Sequence, residues 1–259
     1  MCGRFGLIPT PEQVAELFAL AELEDFPPRY NIAPTQPMLV VKQGHSREPG
    51  SNLPEREALL VRWGLIPAWA KDPKSLPLLI NARAESAGEK AAFRHAMRYR
   101  RVLVPSSGFY EWKKLGPKER QPYWVRPRAG GVIAFAGLME TWAEPGGSEI
   151  DTGAILTTHA NDDVRSIHDR MPVVIDPQDF TRWLNWRVFE PQDVADLLKP
   201  AEPGFFEAIP VSDRVNNHAN VGADLMDRVE PRQAAVALDR KKQVPSKTSE
   251  AESSQLKLL

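Results

Sequence analysis

Residues 101–139 read RVLVPSSGFYEWKKLGPKERQPYWVRPRAGGVIAFAGLM. Short runs rich in β-branched and aromatic residues fall at 101–105, 108–112, 122–126 and 132–139, with Ser, Gly, Pro or charge between them. Such runs, each followed at once by turn residues, predict strands that pair antiparallel. The polar KKLGPKERQ at 113–121 predicts a hairpin connection. Further strands are expected upstream at 38–42 (MLVVK) and 58–63 (ALLVRW), and downstream at 153–158 (GAILTT), 171–175 (MPVVI) and 205–211 (FFEAIPV).

Helices are expected between these strands without strict alternation. TPEQVAELFAL at 10–20 has Thr10 as N-cap, Pro11 in the first helical position and Gln13 to complete a capping box. ESAGEKAAFRHAMRYR at 85–100 places Phe93 and Met97 one turn apart. Asn161 reads as the cap of a short helix ending near His168. Asp176-Pro177 caps a helix over QDFTRWLN, and EPQDVADLLK at 190–199 reads as another. The predicted class is α+β: a single domain whose mainly antiparallel sheet curls into a barrel-like core with flanking helices. The domain is expected to span 2–229. The polar, aperiodic segment 230–259 is expected to be a disordered tail.

The chain has 259 residues, 42% hydrophobic and 26% charged, enough to bury a core of ordinary size. Its one cysteine excludes an intramolecular disulfide and a paired-cysteine zinc site. Its five histidines show no HExxH or close pairing, so neither metal nor cofactor is expected. The N-terminus lacks an apolar h-region, and the longest apolar run, 131–139, is too short to span a bilayer. These features predict a soluble, non-secreted protein, in the cytoplasm or nucleoid of a bacterium or the nucleus of a eukaryote. Net charge is −1, yet residues 81–128 hold twelve Lys/Arg against four acids. That excess is what a nucleic-acid face requires. A solvated helix and hairpin whose cations meet acids elsewhere would read the same.

The single cysteine is Cys2, in MCGRF. Removal of Met1 would leave an α-amine and a thiol on adjacent carbons. An α-amine titrates at about 7.7–8.0, so a useful fraction is neutral near pH 7. A neutral amine condenses with an aldehyde to an imine, and the neighbouring thiol can then close a five-membered thiazolidine. Ring closure removes the iminium that would otherwise promote β-elimination. Such chemistry needs a proton shuttle and a group that orients the amine. Asn81, in LINARAES, is an orienting amide or a turn cap. Glu111, in GFYEWKK, is either buried beside Phe109 with a raised pKa or an edge-strand acid facing water. His168, in SIHDRMP, is an acid/base or a satisfied structural histidine.

MCGRF, RYNIAPTQ, RWGLIPAWAKDP, INARAES, GFYEWKK, HDRMP and VSDRVNN occur in that order. Together, over about residues 2–229, they resemble the SRAP (SOS-response-associated peptidase) family of abasic-site processing proteins. The resemblance implies a single-stranded DNA partner carrying an abasic site, captured as a thiazolidine DNA–protein crosslink that shields the lesion from strand cleavage. It implies Cys2 as nucleophile, Asn81 orienting the amine, Glu111 transferring protons and His168 acting as acid/base in formation and reversal. It implies phosphate contacts by Arg4, Arg83 and Arg170, and base stacking on Trp69 and Trp112. The family's peptidase activity would remove residues preceding the cysteine. Here only Met1 precedes it, so self-cleavage is not required. A monomer would suffice. Two other readings are a Cys-His hydrolase using only the Cys2 thiol and His168, and a non-covalent binder of single-stranded DNA.

Overall fold

The computed structural model describes residues 2–44, 54–144 and 146–232. Thirteen strands and three α-helices run in the order β1 (Phe5–Leu7), α1 (Pro11–Phe18), β2 (Arg29–Ile32), β3 (Pro37–Gln43), β4 (Arg56–Trp63), β5 (Asn81–Arg83), α2 (Arg94–Tyr99), β6 (Arg101–Ser106), β7 (Gly108–Lys114), β8 (Arg120–Pro127), β9 (Ile133–Ala143), β10 (Glu149–His159), β11 (Arg170–Pro172), β12 (Val174–Ile175), α3 (Phe180–Leu184) and β13 (Phe206–Pro210). The predicted α+β class with a curled, mostly antiparallel sheet is what the structure has.

Curling is literal in one sheet. Strands pair in the sequence β10-β4-β3-β6-β9, and β9 pairs back onto β10, closing a five-stranded ring. Closure removes the exposed edges that an open sheet would present. The β9–β10 hairpin closes the ring, from Glu149 opposite Ala143 to Ile155 opposite Gly137. Beyond Ile155 the ring partner of β10 gives way to β5 on one side, in parallel, and β11 on the other, antiparallel. A second, fully antiparallel sheet has the order β13-β8-β7-β1-β2.

Aromatic side chains join the two sheets. Phe5 meets Trp63 edge-on, with ring centroids 5.2 Å apart, and Phe109 meets Phe135 in the same manner. Such pairs add about 0.5–1.5 kcal/mol each beyond the area they bury. Gly108, where β6 turns into β7, has φ +151°, and a Cβ there would lie 2.4 Å from the Val125 carbonyl oxygen. Only glycine lets β1 and β8 close on both sides of β7 at this point.

Several expected elements differ. The helix over 85–100 forms only at Arg94–Tyr99; the preceding residues fold into tight turns around Gly88, which breaks the apolar stripe. Residues 162–167 are turns and not a helix, and the Asn161 side chain donates to Asp163 and to the Ala201 carbonyl instead of capping. The 190–199 helix is a 3₁₀ segment, Pro191–Leu197. The 171–175 strand is split into β11 and β12. Strands β1, β2 and β5 were not predicted. Ordered contacts continue through Arg232, whose amide donates to Gln121 Oε1 at 3.1 Å; the remainder of the expected tail, 233–259, lies outside the described residues.

Candidate active site

Each sheet delivers part of the site. Phe5 pairs with Phe109, and the Tyr110 amide donates to the Arg4 carbonyl at 2.9 Å, so the antiparallel register carries residues 2–3 alongside Glu111. On β7, Phe109 faces the main core whereas Tyr110 and Trp112 face a smaller cluster with Trp124 and Ile209. The alternation expected from the sequence is therefore present. Glu111, on the Phe109 face, is 2% exposed and does not point to water.

Asn81 comes from the barrel side. Its strand is pinned by parallel pairing to Ile155–Thr157, and the Trp63 indole donates to the Ile80 carbonyl at 2.9 Å, just before it. Across the seam, Asn81 Nδ2 donates to the Cys2 carbonyl oxygen at 2.8 Å. The Oδ1 of the same amide is buried and lacks a hydrogen-bond partner among the described residues. Cys2 itself is fully buried, its thiol directed at the Arg4 carbonyl at 3.8 Å.

His168 sits in the turn leading into β11. The loop is closed by the Ala160 amide on the Asp169 carbonyl at 2.9 Å. The Arg170 amide donates to His168 Nδ1 at 3.0 Å, and the Asp169 carboxylate lies 2.9 Å from that same nitrogen. One nitrogen cannot accept from an amide and donate to a carboxylate together. Asp169 is well solvated, so the amide contact decides the geometry: in the neutral ring the proton sits on Nε2.

Electrostatics tie these groups together. Burial pushes the Glu111 carboxyl above its ordinary value, and a proton gained by the nearby His168 ring would oppose that rise. Burial also pushes the Cys2 thiol well up, and the negative charge of Glu111 adds to it. Cys2, Asn81, Glu111 and His168 are thus brought into one constellation from four separate stretches of sequence. Among the described residues no group of three or more His, Cys, Asp or Glu is arranged to hold a metal ion.

The expected nucleic-acid contacts fare unequally. Arg83 is exposed. Arg4 donates to Asn31 Oδ1 at 2.8 Å and to the carbonyls of Val215 and Asn216, at 2.6 and 3.0 Å. Arg170 is 6% exposed and pairs with Glu85 through both terminal nitrogens, at 2.7 and 2.8 Å. Trp69 is 59% exposed; Trp112 is half-buried, its indole bonded to Asn216 Oδ1 at 2.8 Å. Three cations of the basic stretch 81–128 are engaged by protein groups. Arg98 and Arg126 pair with Glu190 and Glu207. Arg101 is buried on the carbonyls of Trp183, Met97 and Phe189, and burial pushes its guanidinium down to about 10, with Arg98 adding to the effect. For these three residues the cations do meet partners elsewhere. Sequence reasoning missed Glu85. Its only signal was a carboxylate two residues after Arg83 in the NARAES stretch.

No helix among the described residues is long and apolar enough to cross a membrane. The family model of the SOS response associated peptidase (SRAP) matches residues 1–218. The abasic site processing protein YoqW of Bacillus subtilis is 37% identical over 231 residues, covering 88% of this chain and 99% of its own. The abasic site processing protein YedK of Escherichia coli is 32% identical over 238 residues, covering 88% of this chain and 100% of its own. A crystal structure of a protein from Bacteroides thetaiotaomicron superposes with a TM-score of 0.75 at 22% identity, over 88% of this chain and 100% of that one, and so shares the fold.

Proposed function

The chain belongs to the SRAP family, and on that premise we propose that it processes abasic sites in single-stranded DNA by capturing their aldehyde on Cys2. The observation that carries this reading is the Asn81 amide. Its Nδ2 holds the Cys2 carbonyl, while its Oδ1 is buried with no hydrogen-bond partner among the described residues. A buried, unpaired acceptor is costly, by about 1–3 kcal/mol. An N–H of the Cys2 α-amine, freed by loss of Met1, would satisfy it and aim the nitrogen lone pair.

The reaction is a condensation. The neutral amine adds to the ring-opened sugar aldehyde to give a carbinolamine, which loses water to an iminium. The Cys2 sulfur then adds to the iminium carbon as its proton leaves, closing the thiazolidine. Glu111, kept in a dry site with a raised pKa, would assist proton transfer during sugar ring opening and imine formation. His168, with Nε2 carrying the proton, would serve as acid/base in formation and reversal. Arg83 would meet a phosphate beside the lesion, and Arg4 would do so by exchanging present partners, whereas Arg170 would keep its pairing with Glu85. Trp69 and Trp112 would offer surfaces to unpaired bases. A Cys-His hydrolase needs a ready thiolate. The burial and Glu111 charge that raise the Cys2 thiol work against that alternative.

The test is intact mass after incubation with a single-stranded oligonucleotide carrying one abasic site. The expected product is protein lacking Met1 plus DNA minus one water. An uncleavable extension placed before Cys2 should abolish it. Normal crosslinking by the extended protein would show that the α-amine is not used and would overturn the thiazolidine reading.

A further inference from the structure

Glu85 lies just beyond β5 and Arg170 opens β11, so the two residues flank opposite sides of β10. Their side chains close over that strand. Arg170 Nη1 and Nη2 meet the two Glu85 carboxylate oxygens at 2.7 and 2.8 Å, and Nη2 also donates to the Thr157 carbonyl, at 2.5 Å. The Ala84 amide bonds to that same carbonyl at 2.9 Å. Arg170 is buried, and its Nε finds no partner among the described residues. The Glu85 side chain is 41% exposed and stands at the outer rim of the pair, with His159 Nε2 3.5 Å from Oε1. A bidentate guanidinium–carboxylate pair fixes two planes relative to each other. Here it locks the Asn81 strand to the segment bearing His168, and the Arg170 backbone amide is the donor that sets His168 Nδ1.

We propose that Glu85 is a positioning residue for the abasic-site reaction, acting through Arg170 to hold the His168 ring in the Nε2-protonated orientation and in register with Asn81. This rests on the function proposed above. Glu85 touches neither Cys2 nor the reacting atoms in this arrangement. Without its carboxylate the buried guanidinium loses its direct counter-charge, and the β11 end is free to rotate its amide away from the imidazole.

Glu85→Gln and Glu85→Asp in the full chain test this. Glu85→Gln should slow adduct formation at saturating DNA by about 10- to 100-fold, the range expected when a reacting group is misplaced by an ångström. The dissociation constant for an undamaged oligonucleotide should change less than about twofold, a split that assigns the loss to a reacting group instead of to binding. Glu85→Asp, which keeps the charge, should recover part of the rate. The ¹⁵N shifts of the His168 ring, read without DNA, should move from the Nε2-protonated tautomer toward a mixture in Glu85→Gln alone. Wild-type ring shifts and a wild-type rate in folded Glu85→Gln would overturn the proposal, as would a loss confined to melting temperature. Because the ring shifts need no substrate, they still test Glu85 if the wild-type protein captures no abasic site. That outcome would sink the proposed reaction instead.

Discussion

β9 and β10 run 11 residues each, whereas β1 and β5, which deliver Cys2 and Asn81, and β11, which follows His168, run 3 each. Strands of three residues do not persist alone. They hold their places because β5 and β11 are paired to the far end of β10, and β1 to β7, itself backed by β8. The barrel is a buried apolar ring that sustains the fold. The seam against it carries a buried carboxylate, a buried thiol and an amide oxygen with no partner among the described residues, none of which a stable core would choose. The difference teaches that the site's precision is imported from the barrel, and that its local chemistry opposes stability. Changes in the two regions should therefore separate, with the seam controlling rate and the barrel controlling stability.

The sharpest test of that separation is Glu111→Gln. Loss of a positioned acid/base should slow adduct formation by about 10²- to 10⁴-fold, measured by single-turnover crosslinking. Stability should move the other way. Because the folded-state pKa is raised, native Glu111 contributes its full stability only below the pKa of the unfolded chain, about 4.3, and that contribution is lost as pH rises through the higher folded value. At pH 7 the neutral glutamine removes this penalty, so the melting temperature should equal or exceed that of the wild type. A large drop in melting temperature with an unchanged rate would invert the comparison and make Glu111 structural.

The reverse case is Leu103→Ala. Leu103 is fully buried on β6, opposite Ala136 of β9 within the ring. The truncation should destabilise by about 2–5 kcal/mol in denaturant unfolding, through lost transfer energy plus the cavity left behind. At a temperature where the variant is folded, its crosslinking rate should stay within about twofold of wild type. A rate collapse in the folded variant would show that the barrel does more than hold the seam in place.

The same contrast explains what could be read from the sequence. The long strands announce themselves by apolar runs between turn residues, and β3, β4, β6–β10 and β13 all fall where those runs are. Tracts such as FGL and NAR have neither length nor alternation to mark them. Their strand character comes from pairing partners about 100 and 70 residues away in the chain, so no local pattern records it. The residues of the constellation were legible by chemical type and by family resemblance. The Glu85–Arg170 pair was not, because an arginine in HDRMP reads equally as a phosphate ligand or as half of an ion pair until its neighbour across β10 is known. The basic stretch 81–128 misleads for the same reason: the carboxylates and carbonyls that bind Arg98, Arg101 and Arg126 lie at 97–207 and are invisible to a count of local charge.

The smallest expected effect concerns Arg83, which follows Asn81 by two residues and ends the same strand. Arg4 and Arg170 are bound to protein groups, so a phosphate gains them only by displacing those partners, and the exchange releases little net energy. Arg83 is exposed and has no side-chain hydrogen bond or ion pair among the described residues, so it needs no such exchange. Each phosphate neutralised on a single strand contributes about −0.7 to the slope of log K against log salt. Arg83→Gln should therefore make that slope shallower by about 0.7 for an undamaged oligonucleotide, weaken binding alike across sequences, and leave melting temperature unchanged. Arg4→Gln should act differently, since removing its bonds to Asn31, Val215 and Asn216 loosens a turn that Asn31 of β2 still holds. Its effect should register in stability before it registers in the salt slope. If instead Arg4→Gln changes the slope as much as Arg83→Gln does at unaltered melting temperature, the seam holds its arginines loosely. The division between a rigid barrel and a pre-set seam would then have to be redrawn at β1.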